Sequence, residues 1–321
     1  MKRVVSVWCF LLVLFYSFGY SQEKKNVVIG TMRPFPSVGA ELYEDAFRGF
    51  KERLRTYGYK EGENVRYIEK MGSEKKDVYE ENVKIAEEIL NEDVDIVVSF
   101  GTNQSVALAT VLRKKDIPLV FCQVTDPVGA KIVSSMKRPS GTNITGIQYI
   151  TPPQVLIKYM RSILPSAETI GYVYNTHLPQ DMAYLREMRK VKDKLGFEIK
   201  YIDITNGVNV EEFKEKRIDV ITGWLGCIGP LEELDKASIP IIVPGVGIKA
   251  HVCLAGVGID NYSVGGQAAD MVIRIFKGEK PGEILPEMPN KYRIQINLKK
   301  AKELKIRIPV WVEESADIVI R

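Results

Sequence analysis

The chain has 321 residues, 45% of them hydrophobic and 27% charged, and its 45 Lys and Arg against 41 Asp and Glu leave a formal charge of +4. The signs are interspersed with no basic tail or stripe, which argues against a nucleic-acid partner. With two histidines, His177 and His251, and no His-Glu-x-x-His, Gly-x-Ser-x-Gly or P-loop pattern, neither a catalytic site nor a metal or cofactor is expected.

Lys2 and Arg3 precede an apolar run over residues 4–18, with Gly19 and Ser21 after it. This is the pattern of a cleaved export signal over residues 1–21, and the run falls short of the roughly 20 residues a membrane span needs. Cys9 sits inside the run instead of at its end, so a lipoprotein is not expected and the mature chain is placed in the periplasm or outside the cell. Cys122, Cys227 and Cys253 lack the C-x-x-C spacing of redox or metal sites. Cys122 and Cys253 read as small buried hydrophobes, while a bond between Cys227 and Cys253 depends on a geometry the sequence does not give.

From residue 27 onward, apolar runs of strand length alternate with segments of helical period, which predicts an α/β fold of two doubly wound parallel-sheet lobes. In the first lobe, strands are expected at 27–32, 65–69, 95–101 and 119–124, and helices at 40–57, 76–91 and 103–114. Leu42, Ala46, Phe50 and Leu54 stripe the first helix and Gly58 ends it. In the second lobe, helices are expected at 153–164 and 180–195, with short ones further on. Its strands are expected at 170–175, 198–204, 219–225 and 240–244.

Open α/β sheets bind ligands beyond the carboxyl ends of their strands. Gly101-Thr102-Asn103 follows the 95–101 strand, and the helix amides there, with the Thr102 and Ser105 hydroxyls, suit a carboxylate. Thr125 and Asp126 follow the next strand, Asp126 as the partner of an ammonium. Plain helix capping is the alternative for Thr102, Thr125 and Asp126. Arg33, for an anion, and Phe35, as an apolar wall, follow the first strand. Tyr149 and Asn175 complete the residue-based candidates. Gly245-Val246-Gly247-Ile248-Lys249-Ala250 matches a dinucleotide fingerprint but leads into another apolar strand-like run, not a helix, so a Rossmann enzyme is set aside.

The run TDPVGAKIVSSMKRPSGTNITGI (125–147) closely resembles the signature of ABC transporter substrate-binding proteins with the type I periplasmic-binding fold, whose relatives bind aromatic and other amino acids. IGYVYN (170–175), VGIDNYSVGGQAA (257–269), INLKKAKELKIRIP (296–309) and Ser315-Ala316-Asp317 are also similar. The resemblance implies a first lobe of 26–146 plus 260–285, a second of 147–259 plus 286–321, and a three-segment hinge. It adds Asp260, ahead of the returning helix, to the ligand-binding candidates. It implies a monomer that traps a small molecule without catalysis and delivers it to a membrane permease, a sensory module feeding a receptor or histidine kinase being the alternative. The chain departs from that family where relatives carry polar residues, reading Gly223-Trp224-Leu225-Gly226-Cys227 and Pro244-Gly245-Val246-Gly247. This favours an apolar, aromatic or carboxylate compound with Trp224 as a stacking platform over an amino acid held by acidic groups.

Overall fold

The computed structural model describes residues 26–35, 41–73, 79–194, 196–224, 230–247 and 250–321. The leader, Cys9 and Cys227 lie outside these residues. The first sheet contains β1 (Val27–Pro34), β2 (Val65–Gly72), β3 (Ile96–Phe100), β4 (Leu119–Val124) and β5 (Ile144–Gln148), all parallel in the order β2-β1-β3-β4-β5. Every residue of β3, β4 and β5 is buried, as parallel strands covered on both faces require. β5 was not among the expected strands, because the turn-like Ser140-Gly141-Thr142-Asn143 and its own Gly146 mask a run of only five residues.

Helices α1 (Glu41–Thr56), α2 (Tyr79–Leu90) and α3 (Thr102–Leu112) connect these strands. α1 buries Ala46, Phe47, Phe50 and Leu54 at helical spacing. Glu41 and Glu44 in its first turn and Arg53 and Arg55 in its last complement the helix dipole, and Gly58 ends it at φ 79°. α2 and α3 cover the opposite face through Ala86, Ile89, Leu108 and Leu112, against Met32, Val97 and Phe121.

The second body continues with α4 (Pro153–Ile163), β6 (Thr169–Tyr174), α5 (Pro179–Val191), β7 (Glu198–Asp203), α6 (Val210–Glu215), β8 (Val220–Thr222), α7 (Leu231–Asp235), β9 (Ile242–Val243) and β10 (Ala255–Ile259). α8 (Asn261–Phe276), β11 (Tyr292–Asn297), α9 (Leu298–Glu303), α10 (Val310–Glu314) and β12 (Ile318–Ile320) complete the chain. Strands β7-β6-β8 and β9-β10-β11-β12 are joined by a bridge between Ile221 and Ile241. β11 runs antiparallel to β10, a departure from an all-parallel sheet. It arises because β10 leads out to α8 and the chain returns beside it, Asp260 N–H donating to Lys291 O at 3.1 Å.

The backbone passes between the two bodies three times, after β5, between β10 and α8, and ahead of β11. α8 follows a strand of the second sheet but packs on the first, where Val264, Ala268 and Val272 join the α1 core. The two helices touch at glycines: a Cβ at Gly265 would lie 1.7 Å from Ala46 O, and one at Gly49 would lie 2.0 Å from Tyr262 O. Gly266 faces only the Arg53 side chain, at 3.8 Å. Gly265→Ala is therefore expected to lose about 1–3 kcal/mol through overpacking, while Gly266→Ala changes stability little. Urea unfolding midpoints of the two variants check this, and equal midpoints would contradict the close packing.

Candidate functional site

In the order β2-β1-β3-β4-β5 the topological switch falls between β1 and β3, and open α/β sheets bind ligands beyond the carboxyl ends of the strands at such a point. Gly101 bridges β3 and α3 at φ 91°, a conformation that costs little only for glycine. Its N–H donates to Cys122 O at 3.0 Å and its carbonyl accepts from Ser105 N–H at 3.2 Å. Gly101, the N-cap, supplies no side-chain cap to α3, and the amides of Thr102 and Gln104 in its first turn lie ahead of any intrahelical carbonyl partner. Thr102 and Asn103 are half-buried there. The Ser105 hydroxyl is not available to a ligand as expected: it donates to Gly101 O at 2.6 Å and lies 2.8 Å from Ser99 Oγ, fully buried.

Two other expected anchors have protein partners. Arg33 shares the β1 face of Ile29 and points at α1, where its guanidinium meets Glu44 at 2.5 Å and Glu69 at 2.7 Å and lies 4.0 Å from the Phe47 ring centre. It is 3% exposed, so the anion-binding role gives way to a structural one. Asp126 accepts from Gly129 N–H at 2.8 Å and pairs with Arg186 of α5. Its counter-charge thus comes from the second body and not from an ammonium. Thr125 is half-buried, its carbonyl accepting from Gln148 at 2.9 Å. Phe35 is 65% exposed, and Met71 and Tyr79 add exposed apolar surface on the same sheet edge.

At the crossings, the Tyr149 hydroxyl donates to Asn261 Oδ1 at 2.6 Å. Gln123 stands beside it in the left-handed region at φ 59°, its amide donating to Leu42 O at 3.0 Å and its Oε1 buried without a partner. Asp260 is the cap of α8, accepting from Ser263 N–H at 3.0 Å and pairing with Lys291 at 3.2 Å. Burial opposes its charge, but Ser263, Lys291 and Arg293 outweigh that and hold the carboxyl below its ordinary pKa. Its geometry is that of a hinge cap.

In the second body, Asn175 folds its Oδ1 onto His177 N–H at 2.9 Å, and Trp224 is half-buried with its ring tilted on Tyr184 at 5.3 Å. Tyr184 stacks in turn on Tyr172 at 6.2 Å. Beside them lies a residue the sequence reading passed over: Asp181, in the first turn of α5, is 1% exposed. Its Oδ2 accepts from Asn175 N–H at 3.0 Å and its Oδ1 has no partner. The available signal was an aspartate on the apolar stripe of Tyr184, Leu185 and Met188. Among the described residues no group of His, Cys, Asp or Glu is arranged to hold a metal, and no helix is long and apolar enough to cross a membrane.

Burial pushes the Asp181 carboxyl up to about 6, with the Asn175 amide pulling the other way. The folded state therefore holds its proton more tightly than the unfolded chain does. The protein is spared the cost of this charge at low pH and loses stability as pH rises from about 4 through about 6, by on the order of 2–3 kcal/mol. Asp181→Asn should raise the urea midpoint at pH 8, with the gain vanishing near pH 4. A variant less stable than wild type at pH 8 would contradict an uncompensated charge.

A family model described as ABC transporter substrate binding protein matches residues 38–320. A tyrosine-binding protein of Clostridioides difficile is 25% identical over 300 residues, spanning 89% of this chain and 83% of that protein. The ligand-free, open structure of a substrate binding protein with adhesive properties from Clostridium difficile superposes with a TM-score of 0.76 at 22% identity, covering 92% of this chain and 99% of that one. An ABC domain in complex with L-Trp from Streptococcus pneumonia gives a TM-score of 0.66 at 22% identity, covering 92% and 100%.

Proposed function

Because the chain belongs to the ABC transporter substrate binding protein family, we propose that it is the exported component of an importer. In this reading it captures an aromatic carboxylate or aromatic amino acid between two lobes and delivers it to a membrane permease. The lobes are residues 26–146 with 260–285 and residues 147–259 with 286–321. The observation that carries this is the uncapped α3 N-terminus at the switch point of the first sheet. The amides at the helix start and the positive end of the helix dipole favour a carboxylate there. Thr102 and Thr125 flank the position, while Phe35, Met71 and Trp224 offer apolar surface to a ring. The names of two relatives, one tyrosine-binding and one in complex with L-Trp, agree in chemistry. Arg33, Asp126 and Asp260 are assigned to the scaffold and hinge in this reading, and Tyr149 to the hinge network with Asn261.

Thermal melts of residues 22–321 against aromatic acids, amino acids, purines and aliphatic carboxylates test the reading. A ligand at a hundredfold excess over its Kd adds about 2.7 kcal/mol, so aromatic carboxylates or amino acids should shift the midpoint visibly. Thr102→Ala is expected to weaken binding by about fivefold, equivalent to one hydrogen bond of about 1 kcal/mol, without lowering the ligand-free midpoint. No shift with any compound, in protein refolded from denaturant to remove bound ligand, would overturn the proposal.

A further inference from the structure

The C-terminal tail presents a surface that neither the cores nor the ligand crevice uses. Among the described residues the most exposed large apolar side chains are Val310 at 69%, Phe35 at 65% and Trp311 at 57%. Phe35 follows β1 on the crevice side, whereas Val310 and Trp311 open α10, which turns Val312 to the core. Four exposed cations precede this pair. Lys299 and Lys302 lie one turn apart on the outer side of α9, away from the buried Lys300 and Ala301. Beyond α9, Ile306 and Ile308 pack on the core while Lys305 and Arg307, which alternate with them, remain exposed. Even fully extended, the chain from Lys305 to Trp311 spans no more than about 20 Å.

The signs of charge are mixed along this stretch of sequence, but the structure occupies most of the acids. Asp235 and Glu303 hold Lys300, Glu313 holds Arg321, and Asp317 accepts from Ile294 N–H. Lys302, Lys305 and Arg307 form no ion pair among the described residues, and Lys299 shares Glu303 with Lys300. Glu314 is exposed beside them, so the surface stays net positive. An exposed indole next to cations has the chemistry of an interfacial anchor, the ring settling at the headgroup level and the cations meeting lipid phosphates. Protein interfaces are depleted in lysine, and three lysines in this stretch favour lipid over a protein partner. We propose that the surface of residues 299–311 docks reversibly on an anionic phospholipid membrane. Val310 and Trp311 enter the headgroup boundary, and Lys299, Lys302, Lys305 and Arg307 face the phosphates. Attachment of this kind is weak, so it keeps the protein near the membrane while leaving it free to exchange. The inference goes beyond the ligand reading and rests on it only for export to the membrane's outer side.

Co-sedimentation of residues 22–321 with vesicles tests it without any ligand, so its outcome is separate from that of the melts. The chain without its leader is used because the apolar run 4–18 would itself enter lipid. Vesicles of phosphatidylglycerol and phosphatidylethanolamine should retain the protein, phosphatidylcholine vesicles should not, and about 1 M salt, which screens charge beyond about 3 Å, should release it. Lys305→Gln with Arg307→Gln should weaken retention by about tenfold or more, and Trp311→Ser should abolish it, both at an unchanged thermal midpoint. Brominated lipid should quench the emission of wild type but not of Trp311→Phe, in which Trp224 is the emitter. No retention by anionic vesicles, equal retention by phosphatidylcholine, or retention unchanged in the variants would overturn the proposal. Retention by native membranes but not by protein-free vesicles of their extracted lipids would also overturn it, in favour of a protein partner. Should a variant fail to fold, the lipid and salt dependence of wild type decides.

Discussion

The packing of α8 against α1 is the constraint on which the rest of the architecture depends. α8 is reached from a strand of the second sheet, yet its apolar stripe completes the core of the first, and it approaches α1 closely because Gly49 and Gly265 carry no side chain. Backbone contact at that distance fixes the helices tightly. The chain must therefore cross out after β10 and return before β11, which makes the third crossing and turns β11 antiparallel. A two-body molecule with a three-strand connection follows from one helix being lent across. The caps and bonds at the crossings, Asp260 on Ser263 and Tyr149 on Asn261, hold the place where that helix begins.

Charge is distributed by the same logic. Side chains that look like ligand anchors in one dimension are held by partners distant in sequence: Arg33 by Glu44 and Glu69, Asp126 by Arg186, Asp260 by Lys291. Each pairing satisfies a polar group that burial would otherwise penalise. What stays unsatisfied is informative for that reason. Gly101 gives α3 no side-chain cap, and Asp181 keeps one oxygen without a partner. Folded proteins leave few buried polar groups without a partner, and among the described residues Asp181 Oδ1 is one such atom alongside the Tyr172 and Tyr184 hydroxyls and Gln123 Oε1. Asp126 and Arg186 join the two bodies directly.

Much of the fold was legible in the residues. The continuous apolar runs of β3 and β4, the 3.6-residue stripe of α1 and the position of Gly58 are local patterns with local causes, and they agree with the structure to within a few residues. β5 was not legible, since five residues with a glycine among turn formers carry no period of their own and become a strand only by pairing with β4. The direction of β11 was likewise hidden, because it depends on where α8 docks.

The sequence by itself determined the class of the protein: alternating strands and helices, glycine and hydroxyl residues at strand ends, and a family signature over residues 125–147. These are properties of short segments, and short segments are what periodicity and turn chemistry encode. Only the tertiary structure decided which polar side chains are free. Strand alternation turned Arg33 inward to α1, and the α5 stripe carried Asp181 under the edge of the second sheet. Whether a charge is paired depends on neighbours tens of residues away, and those are set by packing.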